Sequence, residues 1–341
     1  MNAETPDPAI KEIYSLFFDG NPVSAVPIDT SRGDSDFRNT AVVTEDGGKK
    51  VVLKIVANEF TFPEKIRMWQ RTVEEYRSLG YYCPRIFCDR NGRFPTVNYR
   101  GKRCVVYAEE FSKYPTLEDR TASEEAGTNA AYAKHIWQMT AKIAARKLDY
   151  TEYPSGYCLF ERFCPSDETD EVLENALAWK ALADAASEEF SAQVQRIWAL
   201  YTDNREALKP LYAKLPTSVF QADLNPTNLL IGEDGSFMGV MDFNLCGKDV
   251  FLNYLMRENY GDFEPELESI RTALRYAAKY YPFSEDEKAA ALPLYRCLKP
   301  LSYNRVYDLR EAGSDREQVR RCLDQVEFYL TAEIDFISDM G

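Results

Sequence analysis

In the stretch VFQADLNPTNLLIGEDGSFMGVMDFN, residues 219–244, two aspartates and a side-chain amide interrupt an otherwise apolar, strand-like pattern: Asp223, Asn228 and Asp242. Turn chemistry explains Asp, Asn and Pro one at a time, but less easily all three together. NLLIG (228–232) and FMGVM (237–241) are apolar runs joined by EDGS, a Gly-containing turn of hairpin type. With 232 paired to 237, antiparallel counting sets Asn228 opposite Met241, and Asn228 and Asp242 emerge side by side at the hairpin's open end. Asp223 lies upstream, across an LNPT loop that folds back to start the hairpin. Oxygen donors with few nitrogen or sulfur partners suit Mg2+, which keeps waters and binds nucleotide phosphates. The spacing points to a metal and a reacting hydroxyl held at one end of a small sheet.

A second group stands far upstream. In KKVVLKIV the alternation puts Val51, Leu53 and Ile55 on one face and Val52, Lys54 and Val56 on the other. Taken alone, a lysine snorkelling from an exposed face accounts for this pattern. If the face is buried, the ammonium needs a counter-charge, and the helix that follows offers Glu74 and Glu75. A Lys–Glu pair facing oxygen ligands can grip phosphates and Mg2+.

These groups need elements to hold them. Residues 10–18 read as a short amphipathic helix, and 24–56 as strand, polar loop, strand, EDGG turn and strand. Residues 62–79 form a helix with Ile66, Trp69, Val73 and Tyr76 on one face. CPRIFCDRNGRF and RCVVYAEEF complete a second strand pair, ending near 111. Beyond it the pattern is helical at 123–148, 170–186, 188–208, 263–281, 285–307 and 315–338, with the hairpin embedded. The expected fold is α+β and two-lobed: a β-rich lobe over 1–111, then a mainly helical lobe over 112–341 in which the hairpin is embedded.

Bulk composition excludes several classes. The net charge of −14 argues against nucleic acid or an anionic membrane as partner and is compatible with a cationic substrate. No apolar run reaches the roughly 18–20 residues of a membrane span, and the first residues lack a secretory pattern. The eight cysteines are scattered and there is one histidine, His135, which argues against a zinc site or a histidine triad and for reduced, buried thiols in a cytoplasmic protein. The acidic run SDETDE (166–171) reads as a solvated helix start, and the aromatic cluster over 149–163 as core rather than an ammonium-binding box.

QADLNPTNLL followed by MDFN resembles the catalytic loop and metal-binding segment of the aminoglycoside phosphotransferase and choline kinase-like superfamily, H-x-D-x-x-x-x-N followed by [IM]-D-[FW], within a protein-kinase-like fold. The resemblance implies an ATP- and Mg2+-dependent transfer of a phosphoryl group to the hydroxyl of a small molecule, such as an aminoglycoside, a choline-like or other amino-alcohol, or a sugar. It makes Asp223 the catalytic base, Asn228 and Asp242 the metal ligands, and Lys54 the group that holds the α- and β-phosphates. It further implies backbone hydrogen bonds to adenine from Ala108, Glu109, Glu110 and Phe111. A phosphate-covering loop would run over Ser31–Ser35, with Ser31, Gly33 and Ser35 as its contacts. Spacing to Leu79 favours Glu75 over Glu74 as the partner of Lys54. Gln221 replaces the motif's His, Asn225 stands where many relatives have a second His, and DFN replaces a D-F-G-type ending. Asn253 stands near the place of a structural Asp. These departures leave a rival reading, a nucleotide-binding pseudokinase-like module without turnover. The acidic residues Asp262, Glu264, Glu266 and Glu268 are candidate attractors of an amine-bearing acceptor.

Overall fold

In the computed structural model the described residues are 6–121, 129–160, 170–186, 188–257 and 263–341. They form two compact units, one of Met1–Tyr132 with Asp223–Gly247 and one of Ala133–Ala222 with Lys248–Gly341. The division expected at residue 111 follows composition; contacts instead group the hairpin from Asp223 onward with the first unit.

The first unit is built on an antiparallel sheet. Its strands are β1 (Pro22–Asp29), β2 (Phe37–Glu45), β3 (Lys50–Ala57), β4 (Ile86–Phe87), β5 (Thr96–Tyr99) and β6 (Lys102–Glu110), in the order β1-β2-β3-β6-β4, with β5 also on β6. Pro22 and Pro27 are tolerated because β1 is an edge strand. β2 and β3 turn through EDGG, where Gly48 takes φ +79° and its N–H donates to the Glu45 carbonyl at 2.8 Å.

Alternation then sorts the two sheet faces. Val51, Leu53, Ile55, Val106 and Ala108 are buried against helix α1 (Pro8–Phe17) and its Ile10, Ile13 and Tyr14. The opposite face carries Val52, Lys54 and Val56, as the alternation requires, and opposite them Glu109, Tyr107 and Val105.

Helix α2 (Pro63–Ser78) starts at a proline in its first turn and buries Ile66, Trp69, Val73 and Tyr76, the expected stripe. Trp69 packs on Tyr107 with ring centroids 6.2 Å apart, and Tyr76 packs edge-on to Phe243 at 5.5 Å. After α2 the chain crosses the hairpin of β8 (Leu229–Ile231) and β9 (Phe237–Val240) at Tyr82, whose N–H donates to Met238 (2.8 Å) and whose carbonyl accepts from Val240 (3.1 Å). A Cβ on Gly239 would lie 1.8 Å from the Tyr82 carbonyl oxygen, so only glycine permits this crossing.

The second unit is mainly helical: α4 (Asn129–Ala144, beginning in the first unit), α5 (Glu171–Ala186), α6 (Ser191–Tyr212), α7 (Phe251–Arg257), α8 (Phe263–Ala277), α9 (Glu285–Leu298), α10 (Tyr303–Ala312) and α11 (Arg316–Thr331), with the short α3 (Leu117–Thr121) in the first unit. A two-stranded ladder pairs β7 (Thr217–Phe220) with β10 (Gly247–Val250). The helix expected over 285–307 is two helices. Pro300 has no N–H to continue α9, and Ser302 starts α10. α11 stops at Thr331, short of the expected 338.

Candidate active site

The hairpin has the expected register at its open end. Leu229 pairs with Val240, and the Met241 N–H donates to the Asn228 carbonyl at 2.9 Å, which sets Asn228 and Asp242 beside each other. Nearer the turn the register shifts by one, with Ile231 opposite Phe237. Asp242 takes a left-handed conformation (φ 58°, ψ 77°), uncommon for a residue with a side chain though Asp is among those that tolerate it.

The loop before the hairpin is organised by side chains. Asn228 Nδ2 donates to the Asp223 carbonyl (2.9 Å) and to its carboxylate Oδ2 (3.2 Å), and Asn225 Nδ2 donates to Oδ1 at 2.9 Å. The Asn225 Oδ1 in turn accepts from the Thr227 N–H at 3.0 Å. Gln221 is fully buried. Burial and the charge of Asp242 hold the Asp223 carboxyl above its usual range, against the hydrogen bonds from Asn225 and Asn228 and the charge of Arg32.

One charge, that of Asp242, is felt throughout this site. It acts on Asp223, on Lys54, on Glu109 and on Tyr107. The structure therefore brings Lys54 of β3 into one electrostatic group with the hairpin end. Burial pulls the Lys54 pKa down, but the carboxylates of Glu109 and Asp242 outweigh it and raise the net value.

Three expectations require correction. Glu75 is not among the charges that act on Lys54; Glu109 leads them. Glu74 instead pairs with Arg85 at 3.3 Å, an exposed contact. Trp69 and Tyr76, rather than a carboxylate, carry α2's ring contacts to Tyr107 and Phe243. The Glu110 N–H is donated to the Arg85 carbonyl at 2.8 Å, and Ala108 and Glu109 are paired with both β3 and β4, so this backbone is enclosed in the sheet. Phe111 is the first residue past the strand and is exposed, with Lys50 Nζ 5.2 Å from its ring centroid. Finally, Glu266 is buried in an ion pair with Lys299 (2.9 Å) and is not an open attractor, while Glu268 is exposed and pairs with Arg275 at the surface; Asp262 and the Glu264 side chain lie outside the described residues.

The Ser31–Ser35 loop is partly tied to itself. The Ser31 N–H donates to Asp29 Oδ1 (3.0 Å) and the Arg32 N–H to the Asp36 carbonyl (3.0 Å). Gly33 stands at φ +114°. Arg38, beyond this loop, forms a double contact with Asp36 at 2.7 Å through both Nε and Nη2. Because Thr40 pairs with Lys54 and Arg38 with Val56, Arg38 shares the Lys54 face. Arg38 and the Glu109 side chain were not expected from the sequence; the alternation of Val105, Tyr107 and Glu109 was the available signal, usable only once the strand register was known.

Two rings of the aromatic cluster face arginines of the protein itself, and residues 161–163 of the cluster lie outside the described ones. Arg257 lies 3.9 Å from the Tyr157 ring centroid and Arg205 lies 4.6 Å from that of Phe160. From the acidic run, Asp170 caps α5 through the Leu173 N–H (3.1 Å) and pairs with Arg205; residues 166–169 lie outside the described ones.

The sequence model of the phosphotransferase enzyme family (APH) matches residues 30–252. No curated protein matches the chain by sequence. Among solved structures, an amicoumacin kinase (hAmiN) in complex with AMP-PNP, Ca2+ and Ami is similar at 14% identity, with 97% of this chain and 96% of that one covered and a TM-score of 0.51. An ethanolamine kinase from Plasmodium vivax matches at 12% identity, 92% and 84% coverage and a TM-score of 0.42. An aminoglycoside phosphotransferase from Streptomyces rimosus, in complex with ADP and streptomycin, matches at 17% identity, 74% and 88% coverage and 0.37. The first of these likenesses shows the fold, the kinase-like α+β arrangement expected from the sequence. No helix among the described residues is long and apolar enough to cross a membrane.

Proposed function

The chain belongs to the phosphotransferase enzyme family APH, and from that premise we propose that it transfers the γ-phosphoryl group of ATP, with Mg2+, to a hydroxyl of a small molecule. The observation that supports this most is the placement of Asp242, whose charge reaches Asp223, Lys54 and Glu109 at once.

The donor chemistry fits a hard divalent cation. Asn228 and Asp242 stand beside each other at the hairpin's open end; burial first, and then the charge of Asp242, raise the Asp223 and Glu109 carboxyls, and such a cation offsets that charge. When bound, the metal supplies positive charge to the β- and γ-phosphoryl oxygens. Asn228 and Asp242 would hold it. Lys54 would bind the α- and β-phosphates as a point charge. Asp223 would orient the acceptor hydroxyl and take its proton on the carboxylate, with Asn225 and Asn228 fixing the carboxylate plane. Ser31, Gly33 and Ser35 would cover the phosphates. Because the backbone of Ala108–Glu110 is committed to the sheet, the base-binding amide is assigned to Phe111. Most of the catalysis in this scheme is positioning and charge stabilisation.

The acceptor is proposed as a small hydroxyl compound. A cationic one is supported by the net charge of −14 alone, since Glu266 and Glu268 are paired within the protein. Measuring KM across a salt series tests this: steered binding of a cation weakens as the screening length falls to about 8 Å at physiological salt, and a flat response removes the cationic acceptor. The main test is ADP release against a panel of hydroxyl compounds for the wild type and Asp223→Asn. Turnover by the wild type that collapses in the variant supports a kinase. Binding of Mg·ATP with no turnover of any acceptor, unchanged by Asp223→Asn, establishes the nucleotide-binding module without turnover, the reading that Gln221 in place of His favours.

A further inference from the structure

The strand register puts one carboxylate on the face of Lys54 that the helix does not supply. Lys54 pairs with Tyr107 and Val52 with Glu109 across β3 and β6. Residues paired across strands point to one face and residues two apart on a strand share it, so Glu109 is the diagonal neighbour of Lys54. Such neighbours stand roughly 7–8 Å apart at Cα, within reach of long side chains. Both residues are half-buried. Val52 and Val56 flank the lysine, and Trp69 of α2 packs on Tyr107 behind it. An ammonium in that setting needs a counter-charge.

We propose that Glu109 on β6, and not a glutamate of helix α2, is the residue that positions the Lys54 ammonium for the phosphates of a nucleotide. This rests on the nucleotide-binding reading above and adds to it a side-chain role for Glu109. The charges around Lys54 agree with it: Glu109 from β6 acts first, Asp242 from the hairpin end second, and Arg38 from β2 opposes them. Glu74 is turned to Arg85, and α2 meets this side of the unit through Trp69 and Tyr76. A functional consequence follows from where the two residues sit. Both belong to adjacent, hydrogen-bonded strands of one sheet, so the couple is assembled with the sheet. Displacing α2 would not take it apart.

The test uses the full chain as wild type, Glu109→Gln, Glu109→Asp, Glu75→Gln and Lys54→Ala. One readout needs no nucleotide: amine-reactive labelling of Lys54 across a pH series, read by mass spectrometry, which gives its titration directly. The others are calorimetric affinity for AMP-PNP with Mg2+, and KM for ATP separately from kcat. Removing a carboxylate that favours the ammonium lowers the lysine's pKa. Glu109→Gln should therefore make Lys54 titrate lower than in wild type and weaken nucleotide binding by about tenfold, the equivalent of one pKa unit. The loss should appear mainly in KM, and Glu109→Asp should recover part of it. Glu75→Gln should leave the Lys54 titration in place. The proposal is overturned if Glu75→Gln moves that titration more than Glu109→Gln does, or if Glu109→Gln leaves titration and affinity unchanged. It is also overturned if Glu109→Gln alters only the preference between ATP and GTP, which would make Glu109 a reader of the base. Lys54→Ala binding nucleotide as well as wild type would overturn the nucleotide reading instead, and the labelling result would still decide which carboxylate faces Lys54.

Discussion

Asp223 and Asp249 lie close in sequence and are both removed from water, yet their surroundings differ in kind. Asp249 of β10 is fully buried and saturated with donors: Ser155 Oγ at 2.5 Å, the Tyr212 hydroxyl at 3.2 Å, Asn253 Nδ2 at 3.2 Å and the Val250 N–H at 2.7 Å. Burial raises its carboxyl pKa, and each of these hydrogen bonds works against the rise. Asp223 is half-buried, has amide donors from Asn225 and Asn228, and faces a second carboxylate, Asp242, that raises it further. A buried acid surrounded by donors ties helices to strands. One set against another acid is poised to take something from outside the protein, a cation or a proton. Asn253 shows the same division: standing near the place of a structural Asp, it donates its amide to Asp249 and to the Tyr157 carbonyl, within the donor network rather than the reactive one.

The contrast can be broken most decisively at Asp223. Asp223→Asn should cut turnover by about 10²–10⁴-fold, as for loss of a general base, while nucleotide affinity stays near wild type; steady-state kinetics beside calorimetry checks both halves. An equal loss in affinity would place Asp223 with the phosphate-binding groups instead.

Next in size is the buried pair in the helical unit. Glu266→Gln leaves Lys299 charged and nearly without exposure, and should cost roughly 3–5 kcal/mol in chemical denaturation. Asp249→Ala strands three side-chain donors and should cost on the order of 3 kcal/mol. Neither variant should change KM for ATP in protein that remains folded. A change there would mean that the donor-saturated class also serves the reaction.

The smallest expected effect is a pH dependence. The folded pKa of Asp223 lies above its unfolded value, so the folded protein takes up this proton first as pH falls. Its contribution to stability is therefore unfavourable above the folded pKa and is relieved as pH drops through that value toward the unfolded one, near 3.9. Metal-free wild type should gain on Asp223→Asn in melting temperature as pH is lowered over this window. A parallel pair of melting curves would show that Asp223 keeps an ordinary carboxyl.

Much of this was legible from residue order alone. A hairpin register depends on turn position and a period of two, both local, so the adjacency of Asn228 and Asp242 follows from counting along the chain. The apolar stripe of α2 and the two faces of β3 follow in the same way from the 3.6 and 2 periods. The slip near the hairpin turn, the break of the last helices at Pro300 and the long reach of Tyr82 to Gly239 were less accessible, because one-residue irregularities leave periodicity intact around them.

Sequence by itself determined the candidate catalytic loop, the metal-ligand candidates and the lysine strand, since each is a matter of spacing within a few residues. Only tertiary structure decided which charges act on Lys54, which backbone amides are taken up by the sheet, and which acids are paired within the protein. From the sequence the candidates are Glu74 and Glu75; Glu109 enters only through a strand pairing between residues more than fifty apart. Likewise Glu266 reads as one of a solvated acidic run until Lys299, from beyond the end of α9, reaches it. Charge acts through space, and chain order does not determine which charges will meet.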